Sequence, residues 1–130
     1  MNRVTVPVSF GELIDKLTIL EIKSERIDDS CKLRNIRHEL QELGATWFAA
    51  VDELPDISDA RAQLKSVNEQ LWEIEDRIRF LESDNRFDGE FVELARAVYK
   101  TNDMRSRIKK DINLILGSEL VEEKSYREYN

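Results

Sequence analysis

Two sets of side chains in this sequence could do chemistry. The first is Thr101, Asn102, Arg105 and Lys109. Steps of three and four residues put them within reach of one helix face. An arginine fork, a lysine one turn on, and an amide that both donates and accepts would suit a phosphate or a carboxylate. The second set is Glu21 and Glu25, with Glu73 and Asp76. Each pair has helical spacing, and carboxylates so spaced can hold Mg²⁺ from two helices.

Each set has a plainer reading. With 27 acids in 130 residues, acidic pairs at these spacings arise by chance. Ion pairs with Lys23, Arg26, Arg77 and Arg79 would explain them as a solvated face. For Arg105 the plain reading is a buried ion pair that fixes the register between helices. Glu75, Glu82, Glu21 and Glu25 are its candidate partners. His38 lies on the far side of its helix and is expected in solvent. As the single histidine, it leaves no His-based zinc site to build.

These side chains must be positioned by helices. Leu64, Val67, Leu71, Ile74, Ile78 and Leu81 step by three and four, the signal of a helix packed along one edge. Phe91, Leu94, Val98, Thr101, Arg105, Ile108, Ile112 and Ile115 step the same way. Thr101 and Arg105 therefore break an apolar seam at two successive positions. A lone arginine there costs several kcal/mol unless an acid or an anion meets it, on the order of 3–5 when a buried pair is broken. Trp72, beside the Leu71 seam position, is expected to pack at a bundle edge or subunit interface.

The rest of the chain supplies two more helices. Ser9 and Glu12 have the spacing of a capping box, with Val8 and Leu13 as its staple. The helix that follows carries Phe10, Leu13, Leu17, Leu20 and Ile27, widened by Ile14, Ile19 and Ile22. Ser30 is a candidate cap for the next helix, which carries Leu33, Ile36, Leu40, Leu43, Trp47, Val51 and Leu54 through Gly44 to Pro55. Asp56 or Ser58 caps the third and Asp88 the fourth, where Phe87 and Val92 form a second staple. Gly117 stops the fourth helix.

The expected fold is all-α: one domain over 1–130, an antiparallel bundle of four long helices at 9–28, 31–54, 58–83 and 88–116. An extended segment at 1–8 precedes them, with Pro7 confining it to an edge or to no sheet. A single strand cannot stand alone, so it is expected to lie on the helices or to pair with a partner the sequence does not show. An irregular tail follows at 118–130. Charged residues make up 36% of the chain, with only 4 Gly and 2 Pro, which fits such a bundle.

Composition narrows the function classes. A net charge of −7 argues against a nucleic-acid-binding face. No apolar run approaches the roughly 20 residues of a membrane span, and the N-terminus has no signal-peptide core. Cys31, the single cysteine, permits no internal disulfide and is expected half-buried at a turn. A cytoplasmic protein is expected, with no nucleic acid and no membrane among its partners.

Four stretches carry a resemblance. They are Val6 to Ile27 (VPVSFGELIDKLTILEIKSERI), Leu71 to Asp76 (LWEIED), Val98 to Asp103 (VYKTND) and Leu120 to Tyr126 (LVEEKSY). Together they resemble a family of short bacterial and phage proteins, domain of unknown function 6165, over nearly the whole chain. The resemblance brings no activity. It implies that Thr101, Asn102 and Asp103 lie inside a family motif, as do Glu12, Asp15, Lys16, Glu21, Glu25, Glu73 and Asp76.

The leading expectation is a binding or adaptor module that self-associates through apolar helix faces, or takes a protein partner, and needs no cofactor. Its polar break would be structural or hold a small anion. The alternative is a Mg²⁺-dependent enzyme acting on a phosphorylated small molecule such as a nucleotide or nucleotide sugar. There Glu21, Glu25, Glu73 and Asp76 would hold the metal, and Arg105 and Lys109 the phosphate. That alternative requires the four carboxylates to converge.

Overall fold

The computed structural model describes residues 2–51 and 53–129. Met1, Asp52 and Asn130, which the expected segments 1–8, 31–54 and 118–130 include, lie outside the described residues. Four helices follow in order: α1 (Phe10–Arg26), α2 (Ser30–Ala50), α3 (Ser58–Ser83) and α4 (Gly89–Leu116). The described residues contain no strand. The protein is an antiparallel all-α bundle, with an extended segment before it and an irregular tail after it.

α1 lies in the middle. It contacts α2, α3 and α4, and α2 contacts α1 alone among the helices. A helix touched on three sides must be buried nearly all round. Accordingly Leu13, Ile14, Leu17, Leu20 and Ile22 are all in the core, and so are Gly11, Asp15 and Thr18. Leu64 of α3 and Ile112 and Leu116 of α4 close the core against α1. From α2, Leu40, Leu43 and Trp47 pack onto it, and Trp47 meets Phe10 edge to face at 6.4 Å.

Several local expectations need correction. The helix expected over 31–54 ends at Ala50. Glu53 takes a left-handed φ of 63°, and Pro55 disfavours helical backbone at Leu54. Asp29, not Ser30, caps α2, its Oδ1 accepting from Lys32 N at 2.9 Å. Ile57 is the N-cap of α3 and gives no side-chain bond, while Asp56 accepts from Ser58 N just outside the helix. Ile115 is exposed, and Leu116 is buried in its place. Leu116 belongs to one core cluster with Leu13, Ile14 and Leu17 of α1 and Leu64 of α3. Phe87 and Val92 are exposed, and Phe87 packs instead against Phe91 at 5.3 Å. Cys31 is exposed. Val4 and Val6 are exposed too, so the N-terminal segment does not bury its valines on the bundle. Arg3 ties it to Glu42 of α2 at 3.0 Å.

The ends of α1 and α4 are joined by side chains rather than by each helix's own cap alone. Ser9 Oγ accepts from Glu12 N at 3.1 Å, as a cap should. Gly11 N donates to Asn113 Oδ1 at 2.6 Å, and Phe10 N to Ser118 Oγ at 3.4 Å. The first-turn amides of α1, which no helix can satisfy internally, are thus met from α4 and the residue after its Gly117 stop. Gly117 itself is left-handed at φ 64°, ψ 42°. Ser118 N then bonds back to Asn113 O at 2.8 Å. Glu12 takes no part in a reciprocal box and turns to α4 instead.

Candidate functional site

The seam break is filled from α1. Asp15 is 1% exposed, and Arg105 reaches it from α4 with two donors. Nε lies 3.0 Å from Asp15 Oδ1, and Nη2 donates to Oδ2. Asn68 of α3 donates to the same Oδ1 at 2.9 Å and to Thr18 Oγ1 at 3.0 Å. Thr18 Oγ1 donates in turn to Asp15 O at 2.9 Å. Three helices therefore meet in one polar cluster. No buried side-chain nitrogen or oxygen among the described residues is without a partner.

Lys109, one turn after Arg105, completes the cluster. Its Nζ lies 2.6 Å from Glu12 Oε2, 3.3 Å from Glu122 Oε2 and 3.8 Å from Asp15 Oδ2. Arg105 and Lys109 thus approach the same carboxylate oxygen, and their charged heads are neighbours. Burial pushes the Asp15 carboxyl up, but hydrogen bonds from Arg105 and Asn68 and the charges of Arg105 and Lys109 together hold it below the usual carboxylate range. The Asp15 bond raises Arg105. Burial pulls the Lys109 ammonium down, and Glu12, Asp15 and Glu122 more than reverse that.

The acids proposed from sequence as Arg105's partners are elsewhere. Glu75 pairs with Arg79 at 3.2 Å, Glu21 with Arg61 at 2.6 Å, and Glu25 with Lys65 at 3.1 Å. Glu82 is exposed near the far end of α3. The partner is Asp15, which the sequence reading did not nominate. The signal for it is an acid between Ile14 and Leu17, on the helix whose apolar surface Ile14, Ile19 and Ile22 widen.

Nor are the four carboxylates of the Mg²⁺ alternative brought together. Glu73 pairs with Arg26 at 2.5 Å, while Glu21 and Glu25 share Lys65. Asp76 lines a separate shallow cavity. No three acid, histidine or cysteine side chains gather into a metal-holding group among the described residues. The spacing fits α1–α3 ion pairs, which use the same geometry.

The anion candidates divide. Thr101 is buried and does not line the groove between α4 and the tail. Asn102, Arg105 and Lys109 line a groove of about 850 Å³ between α4 and the C-terminal tail. Asn102 Oδ1 accepts from Arg105 Nη1 at 3.3 Å. Tyr99, Tyr126 and Tyr129 are among the wall residues. The tail runs back along α4: Lys110 pairs with Glu123 at 3.5 Å, Tyr129 donates to Asp103, and its ring meets Tyr99 edge to face at 5.2 Å.

A model of a family of unknown function (DUF6165) matches residues 4–129. The chain belongs to that family. The match takes in α1, the α3–α4 hairpin and the tail, and so every residue of the polar cluster and groove. No curated protein and no solved structure matches the chain. No helix among the described residues is long and apolar enough to cross a membrane.

Proposed function

We propose that the protein is a binding module for a small anionic ligand, held in the groove between α4 and the tail with its charged head on Lys109 and Arg105. One observation carries this reading. The groove already presents a carboxylate to Lys109: that of Glu122, 3.3 Å from Nζ and 47% exposed. An exposed tail acid there marks a position where an anion meets this cation from the solvent side. Its Lys109 and Lys124 neighbours hold the Glu122 carboxyl below its usual range. A phosphate, with more charge and more acceptor oxygens, would compete for the same place.

Arg105 supports the reading from behind. Asp15 and Asn102 use three of its five N–H donors, which leaves two. A guanidinium already fixed by a buried acid loses little freedom when it binds again. Tyrosine rings beside the floor give the groove the mixed apolar and polar lining typical of ligand sites, and its volume lies in their range.

The test is a thermal-shift titration with inorganic pyrophosphate, nucleotides and a dicarboxylate at matched ionic strength. A ligand at 100 times its dissociation constant stabilises by about 2.7 kcal/mol, a shift of about 10 °C in a domain this size. Glu122→Gln removes the competing carboxylate and should strengthen the response. No shift with any anion, in the parent or in Glu122→Gln, overturns the proposal.

A further inference from the structure

Arg105 lines two cavities, not one. Besides the α4–tail groove it borders a shallow cavity of about 300 Å³ at the junction of α1, α3 and α4. Ile19 and Lys23 of α1 and Leu71, Trp72 and Arg79 of α3 are among its other walls. No other residue is common to the two linings. The guanidinium is held at this border by Asp15, with Asn102 on the groove side and Asn68 in the junction.

We infer that the ligand is two-ended: a diphosphate-type anionic link seated at Arg105, one half in the tyrosine-walled groove and a flat ring on Trp72 in the junction cavity. This rests on the anion site proposed above and names the class of molecule that fills it. Three observations support it. First, a doubly charged bridge needs cations on both sides of its seat. Lys109 supplies one on the groove side, and Lys23 supplies the other on the junction side, where Arg79 is paired with Glu75 and Asp76 is a further wall residue. Second, the half-buried Trp72 lines a cavity in place of filling the core, which leaves its ring able to stack. Ring stacking on an aromatic side chain is a strong, sequence-tolerant contact. Third, Asp15 fixes the shared arginine from inside the bundle, so one ligand can touch it from both cavities without reorganising the core.

The experiment compares three probes by calorimetric titration: inorganic pyrophosphate, ADP, and diadenosine diphosphate, whose diphosphate joins two ring-bearing halves. Diadenosine diphosphate should bind tightest and quench Trp72 fluorescence. The quench is assigned by its loss in Trp72→Phe, since Trp47 is the other tryptophan. Trp72→Ala should weaken diadenosine diphosphate about tenfold or more, with Trp72→Phe restoring most of it and pyrophosphate unchanged in both. Unchanged pyrophosphate binding also reports an intact fold and anion site. If pyrophosphate binds but Trp72→Ala leaves diadenosine diphosphate affinity intact, the two-ended ligand is wrong and the anion site stands. If no probe binds, both readings fall.

Discussion

Asp15 of α1 accepts two donors from Arg105 of α4, Nε and Nη2, inside a bundle where Asp15 has almost no access to water. The pair joins two helices through residues 90 apart in sequence. Taking away either member leaves the other short of its partner, and the two losses differ. Without Asp15, Asn68 keeps Thr18 and Lys109 keeps Glu12. Without Arg105, a buried carboxylate remains with Asn68 and a lysine at 3.8 Å. Arg105→Leu should therefore destabilise by about 3 kcal/mol, and Asp15→Leu by less. The double variant Asp15→Leu/Arg105→Leu should recover most of the loss, since apolar pairs of similar size replace buried ion pairs well. Urea denaturation of the four proteins reads the coupling. Additive single effects would mean that the pair is a surface contact in energetic terms.

The same pair sets a pH response. The Asp15 carboxyl is held below its usual range when folded. Its contribution to stability is thus present above the unfolded value of about 3.9 and is lost as pH falls through the folded value. Stability should decline from about pH 5 downward, because the unfolded chain then binds the proton more readily. Glu42, Asp56, Glu90 and Glu122 are shifted the same way, so the parent alone cannot identify Asp15. The Asp15→Asn variant should show a shallower decline, and equal slopes in the two proteins would remove Asp15 from this role.

Periodicity made the break in the seam legible, but not what fills it. Thr101 and Arg105 stand out because the residues on either side keep an unbroken apolar step. Four acids on α1 and α3 looked like partners because the heptad argument fixes a face and says nothing of depth. Arg105 pairs with Asp15, 90 residues away in sequence, which short-range spacing cannot show. Gly11 carries no signal of its own in the sequence. Its place against α4 depends on how closely two helices pack, which follows from tertiary structure. Only half of the capping box forms: Ser9 Oγ accepts from Glu12 N, while the Glu12 carboxylate is drawn to Lys109 of α4, a partner that spacing along α1 does not reveal. Four helices and their approximate order could be read because each carries its own apolar stripe. The central place of α1 was hinted at only by its extra isoleucines.

Gly11 packs directly against the backbone of α4. A methyl group there would overlap the backbone oxygen of Lys109 and stand 3.1 Å from Asn113 Oδ1. Backbone cannot rotate away, so α1 would have to lift from α4 and lose the Gly11–Asn113 bond. Gly11→Ala should cost about 2 kcal/mol, within the range for overpacking. Gly44 supplies the contrast. It lies inside α2 with nothing within 4 Å of where its Cβ would be. Gly44→Ala should stabilise by up to about 1 kcal/mol, the helix propensity difference. Thermal unfolding of both variants gives opposite signs if α1 and α4 touch as described, and the same sign if they do not.

The tail, Ser118 to Tyr129, is held along α4 chiefly by charge. Glu122 and Glu123 meet Lys109 and Lys110, and Lys124 pairs with Glu122 at 3.1 Å. The Lys110–Glu123 and Lys124–Glu122 pairs are exposed and weak singly, and such pairs weaken further as salt shortens the screening length from about 10 Å at 0.1 M to about 3 Å at 1 M. The Tyr129 bond to Asp103 and the Tyr99–Tyr129 ring contact respond less to salt. Trypsin should therefore cut after Lys124 and Arg127 faster in 1 M NaCl than in dilute buffer, with rates normalised to a free tail peptide. Tyr129→Ala should add to the effect, while Arg105, inside the cluster, stays protected in both salts. A tail cut at the same relative rate at both salt concentrations would show that the tyrosines hold it and that the ion pairs do not. The groove would then keep its walls when the charges are screened.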